Sequence, residues 1–252
     1  MISSTNDYET ATISKVPLQT DLVRQGAEEQ GVVRVDAQGL SAAGFAQFME
    51  TLGEPMFTAG ETPVDDLPML NVVTNIGRTT KPKSVFHSDT TYVQRPPSLS
   101  GLYAVDVPDA GGATVFTDQY QAYETLSAEL KKLLAGATVF HRVTGVDLPE
   151  SEEKQARHPV VRQHPGTGRM ALYLTSPARM SDLRLSDGTD RSDLIEDLYI
   201  HSQESGAQKR HAWSKTDVLV WDNRCTLHAA DHSHVIGDRT LYRALVRGEV
   251  PI

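Results

Sequence analysis

The sequence predicts a mainly β protein in which short strands form a sandwich or barrel and helices pack outside. Three observations support this prediction. Many short apolar or alternating runs are bounded by Gly, Pro or Asp, only a few intervals show helical spacing, and 252 residues suit one such β domain. We expect a single domain at residues 16–252 behind a polar, flexible N-terminal tail at residues 1–15.

The opening of the chain predicts a short α/β segment. TDLVRQGAEEQG has the spacing of a helix that ends at Gly31, and VVRVD reads as the strand that follows it. SAAGFAQFMETLG then predicts a second helix with an apolar stripe. Beyond this segment the hydrophobic pattern is mostly that of short strands.

Eight further runs have the length and alternation of strands. They are MLNVVTN, SLSGLYAVDV, ATVFTD, ATVFHRVTG, HPVVRQHP, RMALYLT, DVLVWDN and RTLYRALVRG. Two helical intervals interrupt them, YQAYETLSAELKKLLAG and RSDLIEDLYIHSQ, and Ser192 is the expected N-cap of the second. The stretches from about 58 to 83 and from 142 to 158 are rich in Pro, Thr, Gly and charge, and we interpret them as long loops that act as lids.

Composition narrows the function classes. The formal net charge of -9 argues against a nucleic-acid binder, which needs a clustered basic surface. The N-terminus lacks the apolar region of a secretory signal, and no run of 18 apolar residues exists to span a membrane. We expect a cytoplasmic protein whose one cysteine, Cys225, is a small buried hydrophobe.

The segment FHSDTTY contains a candidate pair of metal ligands. If it is extended, His87 and Asp89 share one side, because alternate side chains of a strand do. Two ligands are too few for a tight site, and the third candidate is His228, with His232 and His234 as rivals. Two His and one carboxylate leave open coordination positions and are typical of non-haem Fe(II) oxygenases.

The last predicted strand, RTLYRALVRG, supplies a second signal. Period-two alternation places Arg239, Leu241, Arg243 and Leu245 on one face, so two guanidinium groups would enter the same interior. A buried guanidinium needs an anionic partner. That partner is either a carboxylate ligand or an acidic side chain of the protein.

Four segments together resemble a known family. They are FHSDTTYVQRPPSLSGLYAVDVPDAGGATVFTD, HPVVRQHPGTGRMALYL, WDNRCTLHAADHS and RTLYRAL, and eleven positions separate His228 from Arg239. Over roughly residues 30–250 the chain resembles the taurine dioxygenase and 2,4-dichlorophenoxyacetate dioxygenase family of Fe(II)- and 2-oxoglutarate-dependent enzymes. The resemblance implies a double-stranded β-helix, which is a jelly-roll, cupin-like core with flanking helices and the metal near one mouth.

The resemblance also implies roles for individual residues. His87, Asp89 and His228 would be the catalytic iron ligands, Arg239 would pair with the distal carboxylate of 2-oxoglutarate, and Thr114 would support that carboxylate. The implied cofactor is Fe(II), and 2-oxoglutarate and O2 are the co-substrates. The implied reaction couples decarboxylation of 2-oxoglutarate, to succinate and CO2, with hydroxylation or a related C–H oxidation of a small molecule.

Substrate recognition is less constrained. Arg243 matches a position that either reaches the acidic group of the substrate or completes the 2-oxoglutarate pocket. Lys83 and Arg243 together suit a small anionic substrate, although Lys83 is equally interpretable as a solvated loop residue. The absence of a His before His87 disfavours taurine itself. Retention of Asp89 favours hydroxylation over halogenation, because related halogenases replace this carboxylate with a small residue.

The other polar residues of these segments have structural interpretations. Trp221 is expected to pack, and Asp222, Asn223 and Arg224 to pin the turn before His228. The histidines at 141, 158 and 164 are expected in or near loops, as surface or structural residues.

Two alternatives from other classes stay open. One is a zinc-dependent hydrolase using the same three residues, and the other is a non-catalytic sensor of small anions. Neither explains why two arginines and Thr114 lie where a 2-oxoglutarate pocket needs them. The oligomeric state is not fixed by the sequence, and a homo-oligomer is compatible with it.

Overall fold

A computed structural model gives the structure of the protein and describes residues 12–14, 19–37, 39–77, 84–205 and 208–252. Of the proposed tail it describes only Thr12–Ser14, which form a strand. Lys83, a candidate substrate residue, lies outside the described residues. The single domain at residues 16–252 stays a prediction.

Strands dominate the described part of the chain. They are β1 (Thr12–Ser14), β2 (Val32–Asp36), β3 (Pro55–Met56), β4 (Pro63–Val64), β5 (Leu67–Thr74), β6 (Pro97–Asp106), β7 (Thr114–Asp118), β8 (Thr138–Arg142), β9 (Gln155–Pro159), β10 (Val161–Gln163), β11 (Met170–Leu172), β12 (Met180–Arg184), β13 (Lys209–His211), β14 (Val218–Asp222), β15 (Thr226–Ala230) and β16 (Thr240–Arg247). The helices are α1 (Thr20–Gln30), α2 (Ala42–Thr51), α3 (Gln119–Glu124), α4 (Ala128–Leu134), α5 (Leu194–Glu204) and a 3₁₀ turn (Pro177–Arg179).

Two sheets form the jelly-roll core, as predicted. The larger sheet has the order β1-β2-β14-β6-β16-β5-β4, and β3 pairs with β16. The smaller sheet has the order β13-β7-β15, and His87 extends it by pairing with His228 on β15. Phe116 of the smaller sheet packs with Leu102, Trp221 and Leu241 of the larger one. The core therefore lies between the sheets, and the candidate ligands lie at its edge.

Strand β6 is buried along most of its length because both of its faces are covered. Leu102 and Ala104 face the smaller sheet, whereas Leu99 and Tyr103 pack in the cluster that contains α1 and α2. Covering both faces replaces the alternation of a half-exposed strand with a continuous buried run. The predicted helices α1 and α2 and the strand between them are confirmed.

The later helices differ from their predicted form. The interval predicted as one helix contains two, because the Ser127 hydroxyl oxygen accepts the N–H of Leu130 and starts α4. The prediction of Ser192 as an N-cap is wrong. Asp193 holds that position, and the Ser192 hydroxyl instead accepts the N–H of Leu183.

The two predicted loops are shorter than expected. Leu67–Thr74 is a full strand of the larger sheet, where it pairs with β16, and therefore does not belong to a loop. Strands β8 and β9 pair with each other and confine the second loop to residues 143–154. These two strands belong to a third sheet, of order β12-β8-β9. An apolar cluster packs this sheet against α3, α4 and α5.

Two expectations from composition can be compared with the structure. Cys225 is free and only 1% exposed, which confirms a buried side chain. Among the described helices, none combines the length and apolarity that crossing a membrane requires.

Candidate metal centre

Strand β16 directs two arginines into the interior. Leu241 belongs to the cluster between the two sheets, whereas Ala244 and Val246 face the helices, so the predicted alternation is confirmed. Arg239, just before the strand, is 5% exposed, and the Arg243 side chain is largely buried. Both guanidinium groups therefore have to find partners inside the protein.

The segment FHSDTTY is not the extended strand predicted from its sequence. His87 makes a single pair of backbone hydrogen bonds with His228, each 2.9 Å, and the chain then turns. Thr90 has a left-handed backbone, and the Asp89 N–H donates to the Asn223 side chain at 3.3 Å. The turn still brings Asp89 beside His87, so the expected pairing of the two side chains has a different local cause.

His87, Asp89 and His228 converge. The Nε2 atoms of His87 and His228 each lie 3.9 Å from Asp89 Oδ1, and the three candidate ligand atoms lie within 4.8 Å of one another. The rivals His232 and His234 are not part of this group. Asp89 is 2% exposed, whereas the His87 side chain is 29% exposed, so the group can be approached from one side.

Both imidazoles are in the form that binds a metal. His87 Nδ1 lies 3.0 Å from the carbonyl oxygen of Val85, to which it can only donate, and this leaves the Nε2 lone pair free. Burial lowers the pKa of His87, and burial together with His87 lowers that of His228 to about 3. Both rings are therefore neutral at pH 7.

Asp89 is held as a carboxylate. Burial opposes its charge, but Arg243, His228 and His87 together keep the pKa of Asp89 well below its usual range. Arg243 Nη1 donates to Oδ1 at 3.0 Å, and Ser100 Oγ donates to Oδ2 at 2.7 Å. Each carboxylate oxygen thus has a donor that fixes its direction.

Ser100 is itself oriented by Asn223. The Asn223 Nδ2 group donates to Ser100 Oγ at 2.7 Å, while Asn223 Oδ1 accepts from Trp221 Nε1 at 3.2 Å. The sequence assigned Asn223 only to the turn and missed Ser100. A polar residue two positions before Leu102, on the same interior face of β6, is the signal that could have found it.

Arg239 differs from Arg243 in having no anionic partner. No carboxylate among the described residues lies within 4.0 Å of its guanidinium, and its buried Nε atom has no hydrogen-bond partner there. Burial alone lowers its pKa to about 10. Arg243, in contrast, contacts Asp89 and also Glu61, whose Oε1 lies 2.9 Å from Nη2.

Thr114 lies beside Arg239. The Thr114 hydroxyl oxygen accepts from Trp213 Nε1 at 3.0 Å and from Arg239 Nη2 at 3.4 Å. Because both acceptor positions are used, the hydroxyl proton has to be donated elsewhere. Gly112 allows the close approach: its φ is +73°, and a Cβ there would lie 3.2 Å from Arg239 Cδ. The pair forms a ready receptor for an anion.

A cavity of about 340 Å³ opens over the candidate ligands, and we call it the entrance cavity. His87, Asp89 and Arg243 line it, together with residues 58–62, 143, 144 and 146. Arg179 and Tyr92 also contribute. No sequence pattern indicates Arg179, because only the three-dimensional packing of the 3₁₀ turn brings it here.

A second group of residues that could ligate a metal surrounds His164 and Asp222, whose side chains are already hydrogen-bonded within the protein. His164 Nε2 donates to Asp222 Oδ2 at 3.0 Å, and His164 Nδ1 accepts the backbone N–H groups of Gly166 and Thr167. Arg224 donates to Asp222 as well. No lone pair is left on His164 for a metal, and the group holds the turn between β14 and β15.

Two of the remaining histidines are buried near the ends of strands β8 and β9, so they are structural rather than surface residues. His141 on β8 stacks on Tyr173 with 5.6 Å between ring centroids, and His158 on β9 donates through Nε2 to the Thr91 carbonyl oxygen at 2.8 Å. Neither ring nitrogen of His141 has a partner among the described residues. Burial, with a smaller contribution from His158, lowers the pKa of His141 to about 3.

Comparison with known proteins identifies the class. The model of the Taurine catabolism dioxygenase TauD, TfdA family matches residues 6–245, and the chain belongs to this family. It is 31% identical to the alpha-ketoglutarate-dependent 2,4-dichlorophenoxyacetate dioxygenase of Burkholderia sp. (strain RASC), over 65% of this chain and 58% of that protein. It is 29% identical to an alpha-ketoglutarate-dependent sulfate ester dioxygenase of Pseudomonas putida, over 98% of this chain and 84% of that protein.

A solved structure agrees with this assignment. The crystal structure of a taurine dioxygenase from Burkholderia xenovorans superposes with a TM-score of 0.78 at 31% identity, covering 96% of this chain and 85% of that chain. Three curated relatives are longer, and the chain spans 44% to 58% of their length.

The buried neutral His141 predicts a loss of stability in acid. Between about pH 6.5 and pH 3 the unfolded chain binds a proton at this residue that the folded protein does not, so stability falls as pH decreases through this window. The contribution is about 1.4 kcal/mol per pH unit. In His141→Phe we expect the unfolding free energy to depend less steeply on pH, with a slope smaller by the equivalent of about one bound proton. Urea unfolding from about pH 7 to pH 4 measures this slope.

His158→Phe is the contrasting variant, since it removes the bond to Thr91 and should lower stability at neutral pH too. A folded His141→Phe protein with the wild-type pH slope would contradict the prediction.

Proposed function

We propose that the protein is an Fe(II)- and 2-oxoglutarate-dependent dioxygenase that couples decarboxylation of 2-oxoglutarate, to succinate and CO2, with hydroxylation or a related C–H oxidation of a small organic substrate. One observation carries the proposal. Arg239 is a buried guanidinium without a carboxylate partner among the described residues, and it lies beside the hydroxyl of Thr114, a residue of the strand that pairs with the strand of His228. Family membership supports it.

The donor set fits iron. Two neutral imidazoles and one carboxylate match the ligands of non-haem Fe(II) oxygenases and leave positions for further ligands. His87 and His228 would each bind through Nε2, and Asp89 through Oδ1, the oxygen that faces both rings. The Ser100 contact then keeps the other carboxylate oxygen turned away.

The second half of the site fits 2-oxoglutarate. Arg239 offers a fork of donors for the distal carboxylate, and Thr114 offers a hydroxyl proton to the same group. When bound, iron with 2-oxoglutarate activates O2 for oxidation of the substrate. The residues of this chain bind and orient the reactants and exclude water, and the two loops around the entrance cavity would limit unproductive turnover.

The substrate is proposed to be small and anionic. Relatives are named for 2,4-dichlorophenoxyacetate and for sulfate esters, which are both organic anions. The open roles of Arg243 remain 2-oxoglutarate binding and substrate binding, and Lys83 stays a candidate for the substrate. Asp89 favours hydroxylation over halogenation, since it offers iron a carboxylate where a halogenase leaves room for halide.

The alternative functions predict different behaviour. A zinc-dependent hydrolase would act without O2, and a sensor of small anions would not consume 2-oxoglutarate. Neither accounts for Arg239 and Thr114 together. The cytoplasmic location and any homo-oligomer stay predictions.

An anaerobic titration with Fe(II) and 2-oxoglutarate tests the proposal. We expect a visible metal-to-ligand charge-transfer band in the wild-type protein, because 2-oxoglutarate would chelate the iron. His228→Ala should abolish the band by removing a ligand, and Arg239→Ala should shift half-saturation to at least about tenfold more 2-oxoglutarate by removing a charged hydrogen bond. Arg191→Ala, which breaks an exposed pair with Asp193, is the control. A folded wild-type protein without the band would sink the proposal.

Ser100→Ala tests how the carboxylate is held. The variant leaves Asp89 Oδ2 without its 2.7 Å donor, so we expect Fe(II) affinity to fall by about 10- to 100-fold. The matched control is Ser98→Ala on the same strand, because among the described residues the Ser98 hydroxyl donates only to backbone carbonyl oxygens of β16. Competition against a chelating dye measures both affinities. Equal affinities in the two variants would contradict a positioning role for Ser100.

A further inference from the structure

The two arginines of the entrance cavity have different environments. Arg243 lies between two carboxylates: Nη1 is 3.0 Å from Asp89 Oδ1 and Nη2 is 2.9 Å from Glu61 Oε1. A substrate anion at Arg243 would have to displace one of them. Displacing Asp89 leaves a buried charge without its partner, which is strongly unfavourable.

Arg179 is the cation without a carboxylate partner among the described residues that line this cavity. Its Nε atom donates to the Thr144 hydroxyl oxygen at 3.3 Å, and this bond fixes one edge of the guanidinium. Its two terminal nitrogens donate no hydrogen bond to described residues, and no carboxylate among those residues lies within 4.0 Å. The group is partly shielded from water, in the wall of a cavity that reaches His87 and Asp89.

The cavity lining is mostly polar but includes an apolar part where the body of a substrate can lie. Val72, Val143 and Val146 line the cavity, whose volume of about 340 Å³ is at the small end for ligand sites. Arg179 and His87 both line this cavity. Arg239 and Thr114 are not among the described lining residues, so the cavity is lined by residues other than the proposed 2-oxoglutarate receptor.

We infer that Arg179, fixed by Thr144, binds the acidic head group of the substrate, a carboxylate or a sulfur oxyanion, while the apolar body lies against the three valines. The guanidinium fork matches either head group with two parallel hydrogen bonds. The inference rests on the proposed function, because it concerns the substrate of that same site. It assigns Arg243 to holding Asp89 and Glu61 rather than to the substrate anion.

The test uses calorimetric titration of metal-free protein with six-carbon probes. The anions are hexanoate and hexanesulfonate, and the neutral probe is hexanol. We expect the wild type to prefer at least one anion over hexanol, and Arg179→Gln to bind that anion about tenfold or more weakly with unchanged hexanol affinity. Arg179→Lys should retain part of the preference, because it keeps the charge and loses the fork. The better anion identifies the head group.

Controls separate this inference from the proposed function. Arg191→Gln tests for general charge effects, and thermal unfolding establishes that each variant is folded. The Fe(II) and 2-oxoglutarate band should be the same in Arg179→Gln as in the wild type. A missing wild-type band contradicts the dioxygenase proposal. The calorimetric affinities for the anions and for hexanol test the role of Arg179 independently of that band. The inference is overturned if the wild type shows no preference for either anion, or if the preference survives in Arg179→Gln.

Discussion

A buried guanidinium without a countercharge is the constraint around which the interior is arranged. Arg239 is 5% exposed and, among the described residues, meets Thr114 but no carboxylate. Such a charge destabilises an empty protein, because desolvation is not offset by an ion pair. The surroundings keep it in place: Gly112 gives it room, and Trp213 occupies one lone pair of the neighbouring hydroxyl. An anionic ligand would supply the missing charge, and relatives of the chain are named as alpha-ketoglutarate-dependent dioxygenases.

Two buried polar networks support the segments that carry the candidate metal ligands. One runs from Trp221 through Asn223 and Ser100 to Asp89, so the carboxylate direction depends on residues of β6 and β14 and the turn after it. The other joins His164, Asp222 and Arg224 and anchors the turn that leads into β15, which carries His228. Because each member is hydrogen-bonded, these networks can specify one arrangement of the site. The jelly-roll core therefore supplies rigid strands, and the buried polar residues orient the side chains of the candidate metal ligands.

Spacing and ligand chemistry make His87, Asp89 and His228 candidate ligands, and period-two alternation places two arginines inside. The choice of His228 over its two rivals and the role of Thr114 come from the resemblance to the family. Contacts between distant segments could not be predicted in this way. FHSDTTY turns because its backbone bonds to Asn223, which is remote in sequence, and Arg179 reaches the cavity only through the packing of a 3₁₀ turn. Local competition also mattered: Ser127 caps a new helix inside a continuous apolar pattern, and Ser192 bonds to Leu183 instead of capping α5.

The most direct measurement compares Arg239→Met with the wild type in anaerobic urea unfolding with Fe(II), in the presence and absence of 2-oxoglutarate. If Arg239 is kept for the ligand, the variant is at least as stable as the wild type without 2-oxoglutarate, because an apolar side chain replaces an uncompensated charge. It then gains little from 2-oxoglutarate, whereas the wild type gains about 2.7 kcal/mol at a hundred times the dissociation constant. A variant that is markedly less stable without ligand, or one that gains as much as the wild type, would contradict this account.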